Sequence, residues 1–425
     1  LSAFLWGAVF ASIATILIFG LVLVIFARSE KEITQRVGHL YSITDPQFLR
    51  STNGLLGPTL VPGNHVETLL NGDEIFPAML KAIRAAEKTI TFETFISWSG
   101  NIGQEFVDTL YEKARQGVKV HVLLDWFGSL KMEESWIQKM RDAGIEAEKY
   151  HPFKWHNWRR LNNRTHHKIL VVDGKIGFTG GVGIADEWSG HAQGPDHWRD
   201  THYRIEGPVV AQLQSAFIDN WIEVKGDVLH SEEYFPELKE AGPNLAQVFK
   251  SSNEGGANST HLMYLLAITA AKKSIHLSMS YFIPDELAQE AMVAALKRGV
   301  AIQIILPGRH IDRGYVRKAS RGTWGPLLEA GAEIFEFQPT MFHCKVLIID
   351  EIYVCIGSTN FDNRSFRLND EANLNIYGRH FAERQLADFK ADLTRSRQIT
   401  LSEWKTRRLT EKVLEYGLKM IRPQL

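Results

Sequence analysis

Two cysteines in 425 residues, Cys344 and Cys355, exclude a disulfide-stapled scaffold and favour a reducing compartment over an oxidising one. Charge of one sign is also missing. Lys and Arg number 48 against 49 acids, a formal net charge of -1, so no global basic field points to nucleic acid. No dense Asp/Glu cluster of the two-metal kind occurs. His191 and His197 in "SGHAQGPDHW" fit no common zinc spacing and read as part of a polar loop. Long apolar runs are scarce too: there is one, residues 1–27, "LSAFLWGAVFASIATILIFGLVLVIFA", without a charged residue. At about 1.5 Å per helical residue it is long enough to cross a hydrocarbon core of about 30 Å. A cleaved signal peptide is the competing reading, but its apolar core is usually about 7–15 residues. The expectation is a retained transmembrane helix tethering one water-soluble body.

What is present is written twice. Residues 81–124 and 266–306 share an order of helix end, strand, helix, Gly-Val and strand. "AAEKTI" and "AAKKSI" open the two copies, and "GVKVHVLL" and "GVAIQIIL" follow in step. Phe106, Leu110 and Ala114 keep helical period in one copy, as do Leu287, Ala291 and Leu296 in the other. Strand–helix–strand alternation predicts α/β units with mixed, largely parallel sheets. The expected organisation is an anchor over 1–27, a linker over 28–64 and a first half over 65–225. A loop-like linker over 226–258, a second half over 259–395 and an amphipathic tail over 396–425 complete it. The tail suits packing on the body and membrane contact equally.

The chemistry sits in "RTHHKILVVDGKIGFTGG", 164–181, and "MFHCKVLIIDEIYVCIGSTN", 341–360. Both hold His-x-Lys-x4-Asp: His166, Lys168 and Asp173, then His343, Lys345 and Asp350. Residues i and i+2 of a strand share a face, so each His and Lys point together and His167 points away. One such pair is weak. Two, at equivalent places of a duplicated fold, predict a single cleft with two imidazoles and two ammonium groups. A phosphodiester relieves their repulsion, its oxygens taken by the lysines. A neutral imidazole attacks phosphorus and a protonated one donates to the leaving oxygen. No metal or other cofactor is required. The duplication supplies an orienting carboxylate for each histidine: Asp200 for His166 and Glu371 for His343. Asp173 and Asp350 complete the pattern, but sit at turns away from the His-Lys face and read as turn formers. Gly180 and Gly181 let backbone N–H groups approach a phosphate, and Ser358 and Asn360 are further donors to it.

These motifs, with "WRDTHYRIEGPVV" and "GSTNFDNRSFRLNDEANL", resemble the phospholipase D superfamily, most of all bacterial cardiolipin synthases. The resemblance covers nearly the whole soluble body. It implies two pseudo-symmetric phospholipase D-like halves and two-step phosphatidyl transfer through a phosphohistidine. Phosphatidylglycerol is the implied donor, and the bacterial inner membrane the implied location. It further implies His166 as nucleophile, His343 as acid, and Lys168, Lys345 and Asn360 on the phosphoryl oxygens. The chain departs from the pattern at Gly183, where many superfamily motifs place asparagine. "HPFKWHNWRRLNNR", 151–164, mixes Trp155 and Trp158 with Lys154, Arg159, Arg160 and Arg164, which suits a lipid-headgroup interface as well as an ordinary loop. Three functions are weighed: a membrane-tethered phosphatidyltransferase, a hydrolase of phospholipid or nucleic acid with the same chemistry, and a non-catalytic lipid binder. Intact His-Lys pairs disfavour the last, and the balanced charge disfavours a nuclease.

Overall fold

β-branched and apolar runs such as "TITFET", "KILVV" and "KVLII" form the centre of the molecule, a 15-stranded sheet. The structure is a computed structural model in which residues 2–25, 33–153, 162–251, 259–409, 411, 412 and 415 are described. Seven strands belong to the first half: β1 (Val61–Leu70), β2 (Thr89–Thr94), β3 (Lys119–Asp125), β4 (Glu146–Tyr150), β5 (Lys168–Val172), β6 (Ile176–Gly180) and β7 (Thr201–Glu206). Seven more repeat them: β8 (Asn244–Ser251), β9 (Ser274–Met279), β10 (Ala301–Pro307), β11 (Glu333–Phe337), β12 (Lys345–Ile349), β13 (Tyr353–Gly357) and β14 (Glu371–Tyr377), with β15 (Ser396–Ile399) added at the edge.

The sheet order is β15-β11-β10-β9-β12-β13-β14-β8-β1-β7-β6-β5-β2-β3-β4. Read outward from the β8–β1 junction, the two halves have the same order. The mixed sheet is as expected, but its balance is not. Only β2–β3, β3–β4, β9–β10 and β10–β11 run parallel. Helical crossovers serve those outer strands, whereas β5–β6 and β12–β13 are hairpins and the halves join through antiparallel β1 and β8. The stretch expected as a linker, 226–258, contains β8, which bonds to β14 on one side and β1 on the other.

Both hairpins turn on residues with positive φ, Asp173 (52°) with Gly174 (63°) and Asp350 (51°) with Glu351 (56°), the sense that matches strand twist. Each aspartate has a second task. Asp173 accepts from the backbone N–H groups of Glu87, Lys88 and Thr89 at 2.7–2.9 Å, and Asp350 from those of Lys272, Lys273 and Ser274 over the same range. They tie the starts of β2 and β9 to the hairpins. The final Asp of each motif thus sits at the far end of the strand from the His-Lys pair and braces the turn there.

Helices cover both faces. Asn71–Ala85 and Asn101–Arg115 pack on the first half, Ser259–Ala270 and Glu286–Lys297 on the second. On the opposite face, Val210–Lys225 and Arg379–Thr394 close one core shared by the halves, with Phe217, Trp221, Ile305, Phe337, Leu374 and Phe389 buried together. Such side chains each contribute about 1.5–3 kcal/mol on burial, so the two halves are bound by a common apolar layer as well as by the sheet.

The N-terminal run forms a helix, Ser2–Ile25, with exposed Trp6, Phe10, Ile16 and Phe19. Only part of its side chains is described, and among the described residues no helix is long and apolar enough to cross a membrane. The expected span therefore rests on the sequence. The stretch expected as an amphipathic tail, 396–425, opens with β15, paired antiparallel to β11, and continues into a capped helix, Leu401–Thr406, packed on the body: the Trp404 indole donates to the Arg321 carbonyl at 2.7 Å. Most of the remaining tail lies outside the described residues.

Candidate active site

The register of the sheet brings the motifs to one end of it. Lys168 opens β5 opposite Thr94, the last residue of β2, and Lys345 opens β12 opposite Met279, the last residue of β9. Each motif histidine, His166 and His343, lies two residues before its strand. The two histidine segments are then drawn together by reciprocal backbone bridges between the halves. The His166 amide donates to the Asp370 carbonyl at 2.9 Å, and the His343 amide donates to the Arg199 carbonyl at 2.7 Å. The residues after these carbonyls are Glu371 and Asp200, so each bridge sets a carboxylate beside a histidine of the other half.

The result is a crossed pairing. His166 Nδ1 lies 3.0 Å from both carboxylate oxygens of Glu371, and His343 Nδ1 lies 2.8 Å from Asp200 Oδ2. The expectation had each acid serving the histidine of its own half; the bridges exchange them. All four side chains are buried. With Nδ1–H donating to a carboxylate, each imidazole keeps Nε2 for a reacting atom.

The lysines lie beside them. Lys168 Nζ donates to the His166 carbonyl at 2.9 Å and Lys345 Nζ to the His343 carbonyl at 2.7 Å. Lys345 Nζ also stands 3.2 and 3.3 Å from the two ring nitrogens of His343 and donates to Ser280 Oγ at 2.8 Å. Burial lowers His166 to about 4, against the charge of Glu371, with Lys168 lowering it further. Burial, then the neighbouring Lys345 charge, lowers His343. Lys168 is pushed down to about 7 by burial and by Lys345. Lys345 is lowered by burial as well. Burial alone would raise Glu371, but the charge and hydrogen bond of His166 outweigh it and bring Glu371 to about 2. Asp200 is lowered in the same way: burial opposes, and His343 prevails. The arrangement is two ionised carboxylates behind two imidazoles, with two desolvated ammonium groups in front. An anion with two free oxygens offsets the desolvation of all four basic groups at once.

Two of the residues expected beside phosphate, Ser358 and Gly181, lie against the carboxylates. Ser358 Oγ donates to Glu371 Oε2 at 2.5 Å. A Cβ on Gly181 would sit 2.2 Å from Asp200 Oδ1, so this glycine makes room for the carboxylate. Asn360 does lie on the lysine side, its Oδ1 accepting from Ser280 Oγ at 2.5 Å. At Gly183 a Cβ would meet Ile96 Cβ at 2.6 Å, which explains why no side chain stands there. His167 is on the opposite face, bonded to Glu93 Oε2 at 3.1 Å. Arg164 is not at an interface: it is buried, 3.7 Å from Asp125. Lys154, Trp155, Trp158, Arg159 and Arg160 lie outside the described residues. Among the described residues no group of three or more His, Cys, Asp or Glu side chains is arranged to hold a metal ion.

Three neighbours of the site were not legible from the motifs. Trp188 donates its indole N–H to Asp200 Oδ2 at 2.9 Å, and its ring lies 5.3 Å from that of His343. Trp198 lies 5.5 Å from the same imidazole. Phe95 stands edge-on to His166 at 5.2 Å. The repeat itself is a signal for Phe95, because Ser280 occupies its place in the second copy.

The family described as "Cardiolipin synthase, PLD-like domain" matches twice, over residues 79–218 and 264–393. Cardiolipin synthase 2 of Bacillus anthracis is 33% identical over 361 residues, 84% of this chain and 70% of that protein. Cardiolipin synthase A of Pseudomonas syringae pv. syringae is 36% identical over 365 residues, 85% of this chain and 75% of the other. Among solved structures, phosphatidylserine synthase of Haemophilus influenzae superposes with a TM-score of 0.67 at 15% identity, over 89% of this chain and all of that one, a likeness of fold.

Proposed function

The chain belongs to the cardiolipin synthase family of phospholipase D-like proteins, and from that membership we propose that it moves a phosphatidyl group from phosphatidylglycerol to an alcohol. The observation that carries this reading is the crossed pair of dyads facing two buried lysines. In the first step neutral His166 attacks phosphorus through Nε2, a P–N bond forms, and the P–O bond to glycerol breaks. Glu371 stabilises the cation left on the ring. His343, protonated in the presence of the anionic substrate and seated on Asp200, gives its proton to the departing glycerol oxygen. In the second step His343 takes the proton of the incoming alcohol, whose oxygen displaces His166. When the alcohol is a second phosphatidylglycerol, the product is cardiolipin. Lys168, Lys345 and Asn360 take the two non-bridging oxygens.

The 1–27 segment is proposed as the anchor of a single-pass protein of the bacterial inner membrane. Exposed Phe127, Leu130 and Phe153 support a lipid-facing rim. They follow β3 and β4, at the end of the sheet that holds the site. The reading is tested by incubating the full chain with headgroup-labelled phosphatidylglycerol, with and without EDTA. Cardiolipin with free glycerol, undiminished by EDTA, is expected. Phosphatidic acid alone would reassign the chain as a hydrolase, and loss in EDTA would overturn the metal-free mechanism.

A further inference from the structure

The two dyads are not surrounded alike. Glu371 is held by hydroxyl and amide groups: Ser358 Oγ, and Asn369 Nδ2 at 3.5 Å from Oε1. In the repeat, Asn369 corresponds to Trp198, since each stands two residues before its carboxylate. Asp200 is therefore flanked by aromatic rings where Glu371 is flanked by polar groups. Trp188 is buried behind it, and Trp198 is half-buried, the rings 4.4 Å apart. Both lie against His343.

This wall also removes hydrogen-bonding positions. The Trp188 indole N–H is spent on Asp200 Oδ2, which His343 Nδ1 also engages. Asp200 Oδ1 accepts from the Thr201 amide at 2.8 Å. An ordered water needs two to four polar partners, and the Trp188 N–H and both Asp200 oxygens are already engaged on that side. An alcohol carried on a lipid needs fewer, because its own apolar body covers the opening.

We propose that Trp198 is a specificity-determining residue that favours an alcohol over water as the group activated by His343. The proposal rests on the phosphatidyl transfer reading above. In the discriminating step the P–N bond to His166 breaks, an O–P bond forms, and the acceptor's proton passes to His343. Alcohol and water differ only in which oxygen arrives.

The test is the ratio of phosphatidic acid to cardiolipin formed from labelled phosphatidylglycerol by the full chain, with glycerol release measured alongside. Trp198→Ala is expected to raise that ratio by about tenfold or more, the scale of one lost apolar contact. Glycerol release should persist, because donor cleavage does not depend on excluding water. Trp198→Phe should keep the ratio near that of the parent. Trp198→Leu serves in place of the alanine variant should that one fail to fold. An unchanged ratio in the alanine or leucine variant, or a phenylalanine variant as leaky as they are, would overturn the assignment. Parent enzyme that yields phosphatidic acid alone would instead sink the transfer reading, a separate outcome.

Discussion

A carboxylate behind an imidazole acts only through that imidazole, so the crossed pairing makes a claim that kinetics can check. Asp200→Asn is expected to lower kcat/KM by about 10²–10⁴, the usual contribution of a positioned acid or base. Combined with His343→Ala it should add little, because one unit has already been lost. Combined with a weak substitution at Glu371, its effect should multiply. A cycle in which Asp200 couples to His166 and not to His343 would overturn the pairing. The sequence made both carboxylates and both histidines visible through their repeated offsets. It left their partnership open, because own-half and cross-half pairings obey the same spacing. The choice was made by the amides of His166 and His343, which bond across the halves. Protonation has its own consequence at this scale. His166 falls from 6.5 to about 4 on folding, chiefly through burial. Between those values the unfolded chain takes up a proton that the folded chain refuses, so stability is expected to fall as pH drops through that window. His166→Gln should flatten the fall, as read by denaturant midpoints from pH 7 to 4. An unchanged slope would mean that His166 does not titrate as its burial implies.

At the scale of an element, each β-hairpin is fastened by one carboxylate. Asp350→Ala removes acceptors for three backbone N–H groups at the start of β9. The expected loss is about 1.5–3 kcal/mol of stability, the worth of a hydrogen bond to a charged group. The folded fraction should turn over normally, since the reacting groups are at the other end of the strand. A fall in kcat with no fall in the denaturant midpoint would put Asp350 back into the chemistry. Asp173-Gly174 was readable as a turn because both residues tolerate positive φ. Asp350-Glu351 was harder, since glutamate rarely adopts that conformation, and only the repeat marked it. β8 was missed for a physical reason: "NLAQVFKS" is bounded by Pro, Gly, Ser and Asn clusters, and its partners β1 and β14 are remote in sequence. Local chemistry identified its ends and concealed its pairing. The parallel bias failed similarly, because strand–helix–strand alternation describes only the outer strands of each half.

Across the whole molecule, the duplication was legible and its assembly was not. Fusing the sheets at β1–β8 brings the ends of β2 and β9, with Lys168 and Lys345 opposite them, to the same end of the molecule. The His-Lys pairs lie at that end of the sheet, so a lipid is expected to reach them from there. Phe127, Leu130 and Phe153 are exposed there, about half or more of each surface reaching solvent, at 51%, 59% and 59%. Isolated apolar residues on a surface need no explanation, but three on the neighbouring loops after β3 and β4 make this end a candidate contact patch. If the patch seats the site on a bilayer, replacing Phe127 and Leu130 by serine should weaken capture of lipid without slowing the chemistry. The expected result is an apparent KM for phosphatidylglycerol in vesicles raised about tenfold, the effect of losing one or two apolar contacts, with kcat at saturation little changed. The N-terminal segment is intact in both proteins, so whatever it adds to lipid capture is the same in each. Equal KM values would show that the rim is an ordinary surface.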